Sequence, residues 1–223
     1  MKKYKIKMND EHRKIIIESL ELNKSLLNFD FNTIVQFVIR ETNKQWLNDR
    51  LGDILFKDRF PDYIQEAIEK IEKPDMSQAI STPITLKIDD VLLEINHDVF
   101  AEREVCTMMN ALDLSSRVVC GQLLEVSNVL NFSVARFNDV DVVEKIMRDI
   151  KALVFKNLGA YASYGIYNNG TPLKARISYE MIQVLRHEIW KNTEDRYQHV
   201  VSSSPVHHET GFPLIEIEFK GEM

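Results

Sequence analysis

The two ends of the chain alternate. Residues 3–8 run Lys-Tyr-Lys-Ile-Lys-Met, and residues 214–219 run Leu-Ile-Glu-Ile-Glu-Phe. A period of two puts Tyr4, Ile6 and Met8 on one face of a strand and three lysines on the other. In the tail, Ile215, Ile217 and Phe219 oppose Glu216 and Glu218. A strand with one apolar face needs neighbouring strands and a covering layer. Lysines and glutamates facing each other across neighbouring strands contribute roughly 0.2–1 kcal/mol per pair. The pattern therefore predicts both terminal strands in one sheet, as neighbours. The rival arrangement pairs the tail with Val91–Ile95.

Between the ends the apolar spacing becomes helical. Asn9 or Asp10 caps a helix whose stripe is Ile16, Ile17, Leu20 and Leu27. A second helix starts near Asn32 and carries Ile34, Val35, Val38 and Ile39. A third starts near Pro61, buries Ile64, Ala67, Ile68 and Ile71, and stops at Lys73-Pro74, because the residue before proline avoids the helical region. Ile84–Ile88 and Val91–Ile95 read as a hairpin around Asp89-Asp90, with Ile84, Leu86, Ile88, Val91, Leu93 and Ile95 on one face. A long helix runs from about Val99 on Val105, Met108, Met109, Leu112 and Val119, and loosens at Cys120-Gly121. Asn138 or Asp139 caps a helix with Val143, Ile146, Ile150, Leu153 and Val154 inward. The fold class expected is α+β, mostly helical, with a small, largely antiparallel sheet that includes both terminal strands.

The polar stretch 75–83 reads as a seam between residues 1–78, a strand-plus-helices subdomain, and residues 79–223, an α+β domain holding the candidate site. Both parts contain the order strand, polar link, long helix. Leu20-Glu21-Leu22 matches Leu112-Asp113-Leu114 at an offset of 92; identity is very low and leucine at helical spacing recurs by chance, so chance stands ahead of a degenerate repeat as the reading of the first part.

Composition excludes several classes. A net charge of −6 argues against general nucleic-acid binding, which leaves a basic footprint. The longest apolar runs are a few residues, too short to span a membrane, and the start lacks the apolar core of a signal peptide. A cytoplasmic location follows. The two cysteines, Cys106 and Cys120, read as buried free thiols. No Walker loop, Gly-x-Gly-x-x-Gly, Gly-x-Ser-x-Gly, His-Glu-x-x-His or zinc spacing is present, so neither a cofactor nor a metal is expected.

The informative stretch is Gly159–Trp190. A loop rich in glycine, tyrosine and asparagine (Tyr161, Tyr164, Tyr167, Asn168, Asn169) leads into a helix with Thr171 expected as N-cap and Pro172 as its first residue. The helix's apolar stripe is Ile177, Met181, Ile182, Leu185 and Ile189. Arg176, Tyr179, Gln183, Arg186, His187 and Trp190 form a second stripe. Tyrosines can stack on a ring and arginines can hold phosphate oxygens in two-pronged contacts. The expected ligand-binding set is Tyr164, Tyr167, Asn168, Arg176, Tyr179, Gln183, Arg186 and His187. Ordinary alternatives exist for each: tyrosines sealing a core edge, arginines in structural ion pairs, a satisfied histidine. His207-His208-Glu209 reads as a solvated loop, since adjacent residues rarely chelate one ion.

Ala111-Leu112-Asp113-Leu114-Ser115-Ser116-Arg117 with Gly121-Gln122 resembles one hallmark of a family of small uncharacterised phage and prophage proteins. Ser163-Tyr164-Gly165-Ile166, Ala175-Arg176-Ile177-Ser178-Tyr179-Glu180 and Gln183-Val184-Leu185-Arg186-His187 resemble its second. The likeness spans residues 91–219 and includes the His-Glu-Thr-Gly loop before the final strand. Ser115 departs from it, standing where an aromatic residue is usual. The resemblance implies a phage origin and a fold of strand, helices and returning strand. It carries no activity with it.

Two functions compete on this reading. One is a non-enzymatic binder that sequesters a small anionic, nucleotide-like ligand such as a host-defence signal. The other is an interaction module that inhibits or assembles with a host or phage protein. Self-association stays open. An enzyme using His187 and a tyrosine is third, because it lacks a complete motif.

Overall fold

The first strand, β1 (Lys2–Lys7), is the centre of the sheet. In the computed structural model, which describes residues 2–27, 37, 38, 40, 41, 98–125, 140–193 and 208–222, it pairs on both sides. Antiparallel β2 (Val99–Ala101) lies on one side and antiparallel β3 (Glu216–Glu222) on the other, giving the order β2-β1-β3. The termini are therefore adjacent strands, as their charge patterns predict. Lys7 faces Glu216 and Lys5 faces Glu218, and the Lys7 ammonium donates to Glu216 at 3.1 Å. Tyr4 is opposite Phe219 and Lys3 opposite Gly221, so Lys220 is an extra residue in β3. Gly221 takes φ +100° there, a conformation that glycine adopts without strain.

Four helices are described along their length: α1 (Asp10–Leu27), α2 (Glu102–Val119), α3 (Val140–Val154) and α4 (Leu173–Lys191); residues 37, 38, 40 and 41 are helical as well. One core holds Tyr4 and Ile6 of β1, Ile16 and Leu20 of α1, Met108 and Leu112 of α2, and Met181 and Leu185 of α4. Residues from both parts of the chain thus share it. Two expected starts shift. Val99 is the first residue of β2, and the helix begins at Glu102; three residues of extended chain there find hydrogen-bonding partners on β1. Thr171 does not cap α4, because its hydroxyl donates to Gly165 O at 2.8 Å instead.

α1 and α2 each have 18 residues, and the 92-residue offset maps one onto the other, 10 to 102 and 27 to 119. Their starts match chemically. The Asn9 N–H donates to His12 Nδ1 at 3.3 Å, and the Ala101 N–H donates to the Glu104 carboxylate at 2.6 Å. In both, the third residue after the cap takes the cap's orphan N–H. α1 also carries the reciprocal bond, His12 N–H to Asn9 Oδ1 at 2.9 Å, as expected of Asn9. The hairpin at 84–95, the seam at 75–83 and most of the helices placed at 32–71 lie outside the described residues. Of the cysteines, Cys120 is buried and Cys106 half-buried, and both are free.

Candidate functional site

The loop between α3 and α4 is fixed at several points. Gly121, just past α2, has φ +89°, and Phe155 and Leu158 pack against its bare Cα. The Tyr164 N–H donates to Cys120 O at 2.9 Å, and the Gln122 amide donates to Ser163 Oγ at 3.3 Å. Lys151, only 2% exposed, reaches from α3 to donate to the carbonyls of Ala160 (2.8 Å) and Ala162. Both motifs singled out in the sequence therefore meet at this loop.

The loop's tyrosines meet the second stripe of α4. Tyr167 and Tyr179 stand edge to face, with centroids 6.0 Å apart, and the Gln183 amide reaches the Tyr167 hydroxyl at 3.5 Å. Tyr164 lies instead beside Phe155, at 6.3 Å. Asn168 has a turn-forming role, its Oδ1 accepting from Gly170 N–H at 2.9 Å. Arg176 donates through Nε and Nη2 to Thr171 O, at 3.1 and 2.9 Å, so two of its five N–H groups close the loop.

Glu180 is the residue that sequence reasoning missed. It is 2% exposed and holds the segment before β3. Its carboxylate accepts from the N–H groups of Glu209 (2.8 Å) and Thr210 (2.9 Å) and from the Thr210 hydroxyl (2.5 Å). His208 lies 4.0 Å away and bonds Phe212 O. A carboxylate on a helix that is buried nearly all round could have signalled such a partner. Burial is the main cause pushing the Tyr167 phenol above its ordinary pKa, and the carboxylates of Glu180 and Glu209 add to it. Tyr167 is thus a neutral hydroxyl in an acidic neighbourhood, suited to hydrogen bonding and unsuited to proton abstraction.

The cationic end of the stripe is elsewhere. Arg186 is half-buried, and its Nε is sealed from solvent without a hydrogen-bond partner. The other described arginines are engaged: Arg13 with Asp98, Arg40 with Glu18 and Glu41, Arg103 with Glu104, Arg117 with Asp113, Arg148 with Glu144, and Arg176 with Thr171 O. Beside Arg186, the rings of His187 and Trp190 stack with centroids 5.7 Å apart and 20° between planes. The expected set is therefore brought together in part. Tyr167, Tyr179 and Gln183 form one contact group, Arg176 and Asn168 shape the loop, and Arg186 and His187 belong to the far end of α4.

A cleft of about 380 Å³ opens at the same loop, against α3 and the residues that follow α2, with Gln122, Glu125, Glu144, Lys151, Tyr161 and Ser163 among its walls. Among the described residues no group of three His, Cys, Asp or Glu is placed to hold a metal ion, and no helix is long and apolar enough to cross a membrane. Comparison with protein-family models, with curated proteins and with solved structures returns no match.

Proposed function

We propose that this chain is a non-enzymatic binding protein for a small anionic, nucleotide-like ligand, with the anion at Arg186. The observation that carries the reading is the state of that guanidinium. A buried donor without a partner costs about 1–3 kcal/mol, and more when charged. A bound phosphate or carboxylate would remove that cost by a charge-assisted contact. The stacked His187–Trp190 pair lies next to it and suits a flat ring. The acidic surroundings of Tyr167 disfavour an anion at the loop, which supports an anionic group at Arg186 and neutral polar groups towards Tyr167 and Gln183.

A small ligand is favoured over a protein partner by the described surface. Its exposed large apolar residues are Val99, Tyr161 and Leu173, on three separate elements, which is scatter and no patch. The likeness of the two motifs to phage and prophage proteins supports a setting in which a host nucleotide signal is sequestered.

Calorimetry with a panel of cyclic and linear nucleotides tests this. A charge-assisted contact contributes roughly 1.5–3 kcal/mol, so Arg186→Ala should weaken binding about 10- to 150-fold with the fold intact. Arg186→Lys should recover only part, since an ammonium cannot make the two-pronged contact. A ligand held equally by wild type and both variants would place the site elsewhere. Capture of one stoichiometric protein partner, with no nucleotide bound, would favour the interaction module.

A further inference from the structure

The cleft behind the loop has a chemistry of its own, and it does not depend on the Arg186 reading. Its walls are polar but balanced. Glu144 is paired with Arg148 of the same helix, and Glu125 lies 3.8 Å from Arg117. A fully charged ligand would have to compete with one of these pairs. An uncharged ligand with several hydroxyls would not, because the Glu144 carboxylate, held through one oxygen by the Arg148 guanidinium, still has lone pairs with which to accept. Lys151 adds a donor. Two of its three N–H groups go to Ala160 O and Ala162 O, and it makes no ion pair among the described residues, so one N–H remains. Burial pushes this ammonium below the ordinary lysine range, which suits a neutral oxygen as third acceptor. Gln122 and Ser163, already bonded to each other, supply an amide and a hydroxyl.

Tyr161 gives the cleft an apolar wall. Tyr161 is 78% exposed, yet the ring is held in place: the Arg148 guanidinium lies over it at 5.5 Å and donates to its hydroxyl at 2.7 Å. Arg148 is not part of the cleft wall, so the ring keeps surface to offer the cleft. An oriented aromatic ring beside paired carboxylates, an amide and one spare ammonium proton matches a ring polyol: C–H bonds on one face, hydroxyls around the rim. The volume lies within the range of small-ligand clefts.

We infer that this cleft is a saccharide-binding site, in which Tyr161 stacks on the sugar ring, Glu144 accepts its hydroxyl protons, and Lys151 donates to one of its oxygens.

Saturation-transfer NMR and calorimetry on the full chain, with glucose, ribose, N-acetylglucosamine and glycerol as probes and inorganic phosphate as the charged control, decide the matter. The expected result is saturable binding of at least one ring sugar, weaker binding of glycerol, which has no ring to stack, and none of phosphate. Loss of one aromatic contact corresponds to about a 3- to 10-fold change in affinity, so Tyr161→Ala should weaken the sugar by that factor while melting as wild type does. Glu144→Gln is the second variant, and weakening in either supports the assignment. It is overturned if no ring sugar saturates, if phosphate binds in place of sugars, or if both variants bind sugar as wild type does.

Discussion

Removing the Glu180 carboxylate should loosen the C-terminal segment before anything else. The side chain is buried and accepts three hydrogen bonds from Glu209 and Thr210. In Glu180→Ala two backbone N–H groups lose their acceptor, at about 1–3 kcal/mol each when water cannot replace it. Glu209 is exposed and Thr210 half-buried, so water compensates in part, and the expected cost is about 2–3 kcal/mol. For a chain of this size each kcal/mol moves Tm by about 2–4 °C, so a fall of roughly 4–12 °C is expected. Glu180→Gln keeps one oxygen that can take both N–H groups and lets the Thr210 hydroxyl turn to accept. It should cost only about 1 kcal/mol. Calorimetric melting gives the magnitude, and amide hydrogen exchange gives the place. The Glu209 and Thr210 amides should exchange slowly in wild type, faster in Glu180→Gln and freely in Glu180→Ala. If Glu180→Ala melts with wild type and those two amides already exchange freely in the native protein, the anchoring argument is refuted.

Two further outcomes follow from buried groups. His12 is 2% exposed, with Nε2–H donating to Pro213 O at 2.9 Å and Nδ1 accepting from Asn9, so the ring is neutral, and burial lowers its pKa below 6.5. The unfolded chain therefore binds the proton more readily: the stabilisation is complete above about pH 6.5 and is lost as pH falls through the folded value. Denaturant titrations between pH 5 and 7.5 should show that slope, and His12→Gln should flatten it; an equal slope in both proteins would exclude His12 as the source. Gly121→Ala puts a Cβ 2.9 Å from Leu158 Cδ1 on a residue with φ +89°, so it should destabilise by about 1–3 kcal/mol in urea. A neutral result would mean that the 155–158 turn does not bear on Gly121.

The sheet was readable because alternation and charge are properties of neighbouring residues. Lys5 and Lys7 carry the same information that Glu218 and Glu216 answer. The helical stripes were readable for the same reason, down to Asn9 as a cap. Thr171 misled because a threonine before proline has the composition of a cap, while its hydroxyl is taken by Gly165 O, a partner set by loop geometry. Val99–Ala101 misled because three residues hold no period, and only β1 makes them a strand. At the site, the stripe of α4 was legible as a stripe, but its division was not. What separates Arg176 from Arg186 is that one guanidinium has found a backbone carbonyl within the loop, while the other keeps a buried Nε with no partner among the described residues. For Glu180 the sequence held a hint that a partner exists, a carboxylate on a largely buried helix, but not which one; Lys151 was opaque because it acts on backbone carbonyls, which leave no trace in side-chain pattern.

The central strand of the sheet and one of its two neighbours are separated by more than two hundred residues of sequence. β1 leaves the ribosome with its Tyr4 and Ile6 face uncovered and waits through more than two hundred residues of synthesis for Glu216–Glu222. Contacts this far apart close slowly, and an unpaired strand edge invites the wrong neighbour meanwhile. β2 becomes available about halfway and can hold one edge, with α1 and α2 already able to pack as a pair of equal length. Nascent chains stalled before residue 208 should therefore bury α1 against α2 yet leave the Lys5 and Lys7 amides open to exchange, and the arrival of Glu216–Glu222 is the event that locks β1.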